Sequence, residues 1–176
     1  MKPKAVIILG KSQAGKDTLA RRINQFRPVS VVKFAQFAKD WVDQIYGGTY
    51  EADRDTDLGG FTKRDILVRL FHAFQETDPK ASVRVMESRI GSDPAKAFPE
   101  FSIPVFTDAR TIHEANYLLK TFDLRVIYIR GGNDGVSSDV QLPDVIRVLK
   151  DTPMLVTGRD VNIMEVLTFV EEFIVD

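Results

Sequence analysis

An α/β fold, with a mostly parallel sheet and helices on both faces, is predicted by three features of this 176-residue sequence. Short apolar runs rich in β-branched residues, AVIIL at Ala5–Leu9 foremost, suit strands buried on both faces. Segments with apolar residues three and four apart alternate with those runs, as at Leu19, Ala20, Ile23 and Phe26. Glycines follow the ends of runs, at Gly10 and at Gly131. Alternation of this kind places ligands beyond the carboxyl ends of the strands.

In chain order, the strand at Ala5–Leu9 passes into a helix from Lys16, and VSVVKF, Val29–Phe34, is the second strand. A helix over Phe37–Tyr46 stops at Gly47 and Gly48. TYEADRDTDLGG is polar and turn-rich and reads as a loop. Thr62 then caps a helix carrying Ile66, Leu67, Leu70, Phe71 and Phe74, with Asp65 at the third position making an imperfect capping box. A helix over Ser82–Ile90 and a loop over Pro94–Ser102 precede the strand IPVFTD, which ends at Asp108. Thr111–Lys120 is helical, Leu124–Ile129 is a strand, VQLPDVIRVLKD holds a short helix, PMLVTG is a last strand and VNIMEVLTFVEEFI a closing helix. Residues 1–176 form one domain, with a helical region over about 47–102 and a lid-like connection over about 130–150.

Composition narrows the function classes. Lys+Arg number 24 against 25 Asp+Glu, so no global basic field exists for a nucleic-acid backbone, and none is expected as a partner. Cysteine is absent, which removes disulfides and thiolate metal sites. The N-terminal apolar run ends at Leu9, too short for a membrane span or signal core, and a cytoplasmic location without membrane contact is the simplest expectation. DRDTDLGG imitates the start of a calcium loop, but Leu58 and Arg64 stand where that loop needs glycine and glutamate. His72 and His113 lack the spacing of a metal pair.

Between the first strand and helix lies GKSQAGKDT, comprising Gly10, Lys11, Ser12, Gln13, Ala14, Gly15, Lys16, Asp17 and Thr18. Its first seven residues fit the GxxxxGK pattern, in which backbone amides turn inward around phosphate oxygens, a helix N-terminus adds its dipole and the lysine reaches the outer phosphates. Asp17 replaces the usual serine or threonine. It suits either a favourable first-turn acid or a water-mediated hold on magnesium, while the Thr18 hydroxyl is offered to a phosphate.

GKDT at Gly15–Thr18 resembles the corresponding motif of the viral deoxynucleoside monophosphate kinases, within the nucleoside-monophosphate-kinase-like P-loop proteins. FAQFAKD (Phe34–Asp40), TKRDILVRLF with Arg64, DARTIHEA (Asp108–Ala115) and VIYIRGG (Val126–Gly132) resemble further segments of that family, the last leading into its lid. The resemblance implies a P-loop kinase fold with a small lid, ATP and Mg2+ as cofactors, and a deoxynucleoside monophosphate as acceptor. It also implies host cytoplasm if the protein is viral, and leaves open a monomer or a homodimer. Phosphomevalonate kinase, whose loop also resembles GKD, and a non-catalytic ATP binder are the alternatives.

A kinase must hold a second anion in line with the γ-phosphate. Arg64 and Arg110 are the candidates for that clamp, with Lys16 and Arg110 catalytic and Arg130, or Arg147, supplying a lid charge. Asp108 suits orienting Arg110, holding water around magnesium or capping the next helix. Glu114, four residues after Arg110, suits orienting it or touching a nucleoside. Phe34, with Phe37 and Trp41, suits either a base pocket or the core, and Lys39 and Lys33 join the site only if the acceptor phosphate lies near them.

Overall fold

Strand β1 (Lys4–Leu9) lies at the centre of a five-stranded sheet of order β2-β3-β1-β4-β5, with β2 at Val29–Val32, β3 at Ile103–Phe106, β4 at Asp123–Ile129 and β5 at Met154–Thr157. Every neighbouring pair is parallel. The computed structural model describes residues 2–132 and 141–175. The helices are α1 (Lys16–Asn24), α2 (Gln36–Tyr46), α3 (Tyr50–Asp53), α4 (Lys63–Thr77), α5 (Ala81–Ile90), α6 (Ile112–Thr121), α7 (Leu142–Val148) and α8 (Ile163–Val175).

The continuous apolar run of β1 is explained by burial on both sides. Ala5, Ile7 and Leu9 pack with residues of α5, α6 and α7, including Met86, Leu118 and Val145. Val6 and Ile8 pack on the other face with Leu19, Ile23, Val166 and Val170 of α1 and α8. After β1 the chain turns to one side for β2 and β3, then crosses to the other for β4 and β5, so the reversal point lies at the carboxyl end of β1.

Three expectations are corrected. The second strand stops at Val32 rather than Phe34, because the amides of Phe34 and Ala35 leave the ladder and donate to the Asp108 carboxylate at 2.7 and 2.9 Å. The polar stretch after Gly48 is not all loop, since Tyr50–Asp53 forms the short α3. The capping box of α4 is complete despite aspartate at its third position: Asp65 Oδ2 accepts from the Thr62 amide at 2.8 Å, and Thr62 Oγ1 accepts from the Asp65 amide at 3.1 Å.

Helices α2, α3 and α4 form a satellite cluster around Ala38, Val42, Tyr50 and Leu67. Lys63 pins it. Its side chain is buried, and its ammonium donates to Asp43 at 3.2 Å, Asp53 at 3.4 Å and the Gly47 carbonyl. A buried ammonium needs such partners, and here they come from the end of α2, the turn after it and α3.

No helix among the described residues is long and apolar enough to cross a membrane. Gly10 is the tightest backbone position in the centre: at φ 154°, a Cβ would lie 2.9 Å from the Ile129 carbonyl oxygen and 3.0 Å from Ala14 Cβ. Gly10→Ala is therefore expected to lower stability by about 1–3 kcal/mol through strain and overpacking, read from urea unfolding. An unchanged midpoint would mean that β4 yields freely.

Candidate functional site

The loop from Gly10 to Thr18 is built from unusual backbone. Gln13 has φ 60° and Gly15 has φ 96°, and the Gly15 Cβ position has no heavy atom within 4 Å, so glycine there serves conformation and leaves open space beside the helix start. Ala14 is buried against the α1 and α8 side of the sheet, which anchors the loop from below. Lys16 Nζ donates to the carbonyls of Gly10 and Lys11 at 2.6 and 2.7 Å, laying its charge across the loop. Helix α1 starts at Lys16 with no side-chain cap, leaving its first amides and its dipole directed at the loop.

Asp17 does not cap this helix. Its Oδ2 accepts from Lys33 Nζ at 3.0 Å and its Oδ1 from Thr107 Oγ1 at 2.9 Å, which ties the loop to the ends of β2 and β3. Burial pushes the carboxyl up, but the bond and charge of Lys33 with the Thr107 hydroxyl outweigh it and hold it below its ordinary value.

Asp108 and Glu114 are buried beneath the cleft. Both oxygens of Asp108 accept from the Phe34 and Ala35 amides, so it fixes that turn while also lining the cleft, and it does not cap α6. Thr111 caps that helix, in a reciprocal box with Glu114. Glu114 Oε2 accepts from the amides of Arg110 and Thr111 at 2.7 and 3.0 Å, and Oε1 from Ser82 Oγ at 2.7 Å. It thus holds the Arg110 backbone, not its guanidinium, and although only 2% exposed it is one of the residues lining the cleft. Burial and the nearby Asp108 charge push Glu114 up to about 7. Burial raises Asp108 as well.

A cleft of about 700 Å³ opens above these groups. It is lined by Ser12, Gln13, Gly15, Lys16, Asp17 and Thr18, while Gly10, Lys11 and Ala14 support the loop from outside the lining. The same lining includes Arg54, Arg64 and Arg110, with Leu67, Val68 and Phe71 of α4 as apolar members and His72 and Gln75 farther along that helix. Arg64 is near Asp55, at 3.9 Å, and Arg54 bonds the same acid at 2.9 Å.

Of the expected aromatic lining, Phe34 is a core residue packed tilted on Phe106 and edge-on to Tyr117, and it also lines the cleft. Phe37 packs on Phe71 and Phe74, and Trp41 is half exposed away from the lining. Lys39 is not a solvated helix residue: it pairs with Glu51 and lies 5.0 Å from the Tyr50 ring centroid. Arg130 is exposed and outside the lining, and Arg147 is a surface residue paired with Asp144 at 3.2 Å. Of the lid-like connection expected over about 130–150, residues 133–140 lie outside the described residues, and Leu142–Val148 is helix α7, packed on the core through Leu142 and Val145. The chain leaving β4 does approach the loop, since a Cβ on Gly132 would lie 2.7 Å from the Ser12 carbonyl oxygen.

Tyr50, Glu51, Arg54, Thr107, His72 and Gln75 were not marked by any motif as part of a site. A pattern search has no signal for them, because α3, the end of β3 and one face of α4 meet only in the folded chain.

No family model matches the chain, and no curated relative matches it. Among solved structures, a sugar kinase from Janibacter sp. HTCC2649 is similar at 12% identity and TM-score 0.43, covering 99% of this chain and 95% of that one. The shikimate kinase from Bacteroides thetaiotaomicron is similar at 11% identity and TM-score 0.40, with 99% of each chain covered. A Thermus thermophilus protein has 15% identity and TM-score 0.47, with 99% and 97% covered. At these scores the likeness carries no weight for chemistry.

Glu114 makes stability depend on pH. Its folded pKa of about 7 lies above the ordinary 4.5, so its stabilising contribution is complete below about pH 4.5 and is lost as pH rises through about 7. Glu114→Gln keeps an oxygen for the two amides and turns a donor toward Ser82 Oγ, without the titration. Urea midpoints across pH should show wild-type stability falling relative to the variant by up to about 1.4 kcal/mol per pH unit over that window. Parallel profiles would place the Glu114 titration elsewhere.

Proposed function

We propose that this protein transfers the γ-phosphoryl group of ATP to the phosphate of a deoxynucleoside monophosphate. The observation that carries this reading is the continuity of the cleft: the GxxxxGK loop and a group of arginines 54, 64 and 110 border one chamber, with an apolar wall from α4 beside the arginines. A phosphate cradle alone would suit any ATP binder. Further cations in the same lining suit a second anion beside the first, and Leu67 and Phe71 suit the flat apolar face of a base. The choice of a deoxynucleoside monophosphate rests further on the resemblance of the GKDT, Phe34–Asp40 and Asp108–Ala115 segments.

In this reading an ionised oxygen of the acceptor phosphate forms a bond to the γ-phosphorus as the bond to the β-phosphate oxygen breaks, and the electron pair leaves with ADP. The acceptor needs little deprotonation, so the protein's work is positioning and charge compensation. Lys16 and the loop amides hold the donor phosphates, and the Arg110 guanidinium, on a backbone fixed by Glu114, holds the acceptor. Asp17, on the first turn of α1 beside Lys16, would hold Mg2+ through water where the ion accompanies the nucleotide. The ion would shield phosphate charge there.

The test is acceptor-dependent ADP release across the deoxynucleoside monophosphates, with phosphomevalonate as a control acceptor; no turnover with any nucleotide would overturn the reading. Lys16→Ala should remain folded by circular dichroism and lose about 10²-fold or more in kcat/KM, as a charge leaves the outer phosphates. Unchanged kcat/KM would remove Lys16 from the site. Arg110→Lys keeps the charge but loses the planar two-pronged donor. It should weaken acceptor use about tenfold or more while ATP binding holds, and equal loss of both would point to a structural arginine.

A further inference from the structure

The cleft lining also holds a chain of alternating charges that the proposed reaction does not require. Asp17 Oδ2 meets Lys33 Nζ at 3.0 Å, Lys33 Nζ lies 3.8 Å from Glu51 Oε1, and Lys39 Nζ bonds the same Oε1. Two ammonium groups therefore converge on a single carboxylate oxygen. The side chains of Lys33 and Lys39 are only 18% and 13% exposed, whereas that of Glu51 is 62% exposed, so the cations are built into the wall and the anion projects into the cleft.

Glu51 is not needed to anchor its own helix. Helix α3 is held from its other side, where Asp53 meets buried Lys63 at 3.4 Å and accepts from the Thr49 amide at 3.0 Å. Two partly desolvated like charges so close together repel unless an anion sits between them. One carboxylate oxygen meets that need minimally. A phosphomonoester group, with up to two negative charges and three oxygens, meets it better.

We infer that Lys33 and Lys39 form a phosphate subsite in the cleft, and that Glu51 is a built-in competing anion which the acceptor phosphate displaces. The inference rests on the reading of the cleft as a chamber for an acceptor phosphate. Displacement releases Glu51 toward solvent and frees α3 to adjust about Lys63, which couples acceptor entry to the helical region. The price of the stand-in is weaker acceptor binding; its benefit is that Lys33 and Lys39 stay aligned.

The experiment titrates inorganic phosphate into the full chain saturated with ADP, comparing wild type, Glu51→Gln and Glu51→Gln/Lys39→Met. The exposed, nearly isosteric Glu51→Gln should bind phosphate about two- to fivefold more tightly, the size of one partly exposed ion pair, with the gain shrinking as salt rises and vanishing in the double variant. Unchanged or weaker phosphate binding in Glu51→Gln would overturn the subsite. In steady-state assays Glu51→Gln should lower KM for the monophosphate and leave KM for ATP in place; a shift in the ATP value alone would overturn the acceptor assignment and give the lysines to the donor. Absence of turnover with every monophosphate would sink the kinase reading, while the phosphate titration still decides the subsite.

Discussion

Two buried carboxylates at the carboxyl end of β3 govern where the chain turns around the cleft. Asp108 accepts the amides of Phe34 and Ala35, which ends β2 and starts α2, while Glu114 accepts the amides of Arg110 and Thr111, which starts α6. Each places negative charge at backbone donors that a strand or helix would otherwise leave unpaired. The segment between them carries Arg110 to the surface of the cleft, so its position is set by groups that never leave the interior.

That arrangement has an energetic cost. Burial raises both carboxyls, and their mutual repulsion adds to the rise at Glu114, despite three hydrogen bonds that favour its charged form. An apolar core would be cheaper, but apolar residues cannot bind four amides at a strand end. The same edge of the sheet carries Thr107, whose hydroxyl reaches Asp17, so the turn fixed by Asp108 is joined to the first turn of α1 at the GxxxxGK loop.

What was legible in the sequence follows from how local each signal is. The Ala5–Leu9 run, the loop glycines and Lys16 announce themselves within a dozen residues, and the parallel sheet with helices on both faces follows from the alternation. Thr62 was readable as a helix cap because a cap acts over three residues, whereas the cap expected at Asp108 for α6 is supplied by Thr111. Asp108 was not readable as a partner for residues more than 70 positions earlier, since β2 and β3 become neighbours only in the sheet. Glu51 looked like a loop acid for the same reason: its meaning comes from lysines 18 and 12 positions away on other elements.

Lys63 and Arg64 show how adjacent residues of one pattern divide between fold and site. Both begin α4 and both carry a full charge, yet Lys63 is buried among Asp43, Asp53 and the Gly47 carbonyl while Arg64 borders the cleft. Successive helical residues point about 100° apart, so a helix start lodged between α3 and the cleft must send one cation to each. The longer, always charged guanidinium faces the side where an anion can take two hydrogen bonds, and the compact ammonium takes the enclosed side with discrete oxygen partners. Exchanging the two would keep composition and net charge while placing a planar fork in a pocket made for a point charge. The order of this pair, rather than its presence, is what makes α4 both an anchor for the helical region and a wall of the cleft.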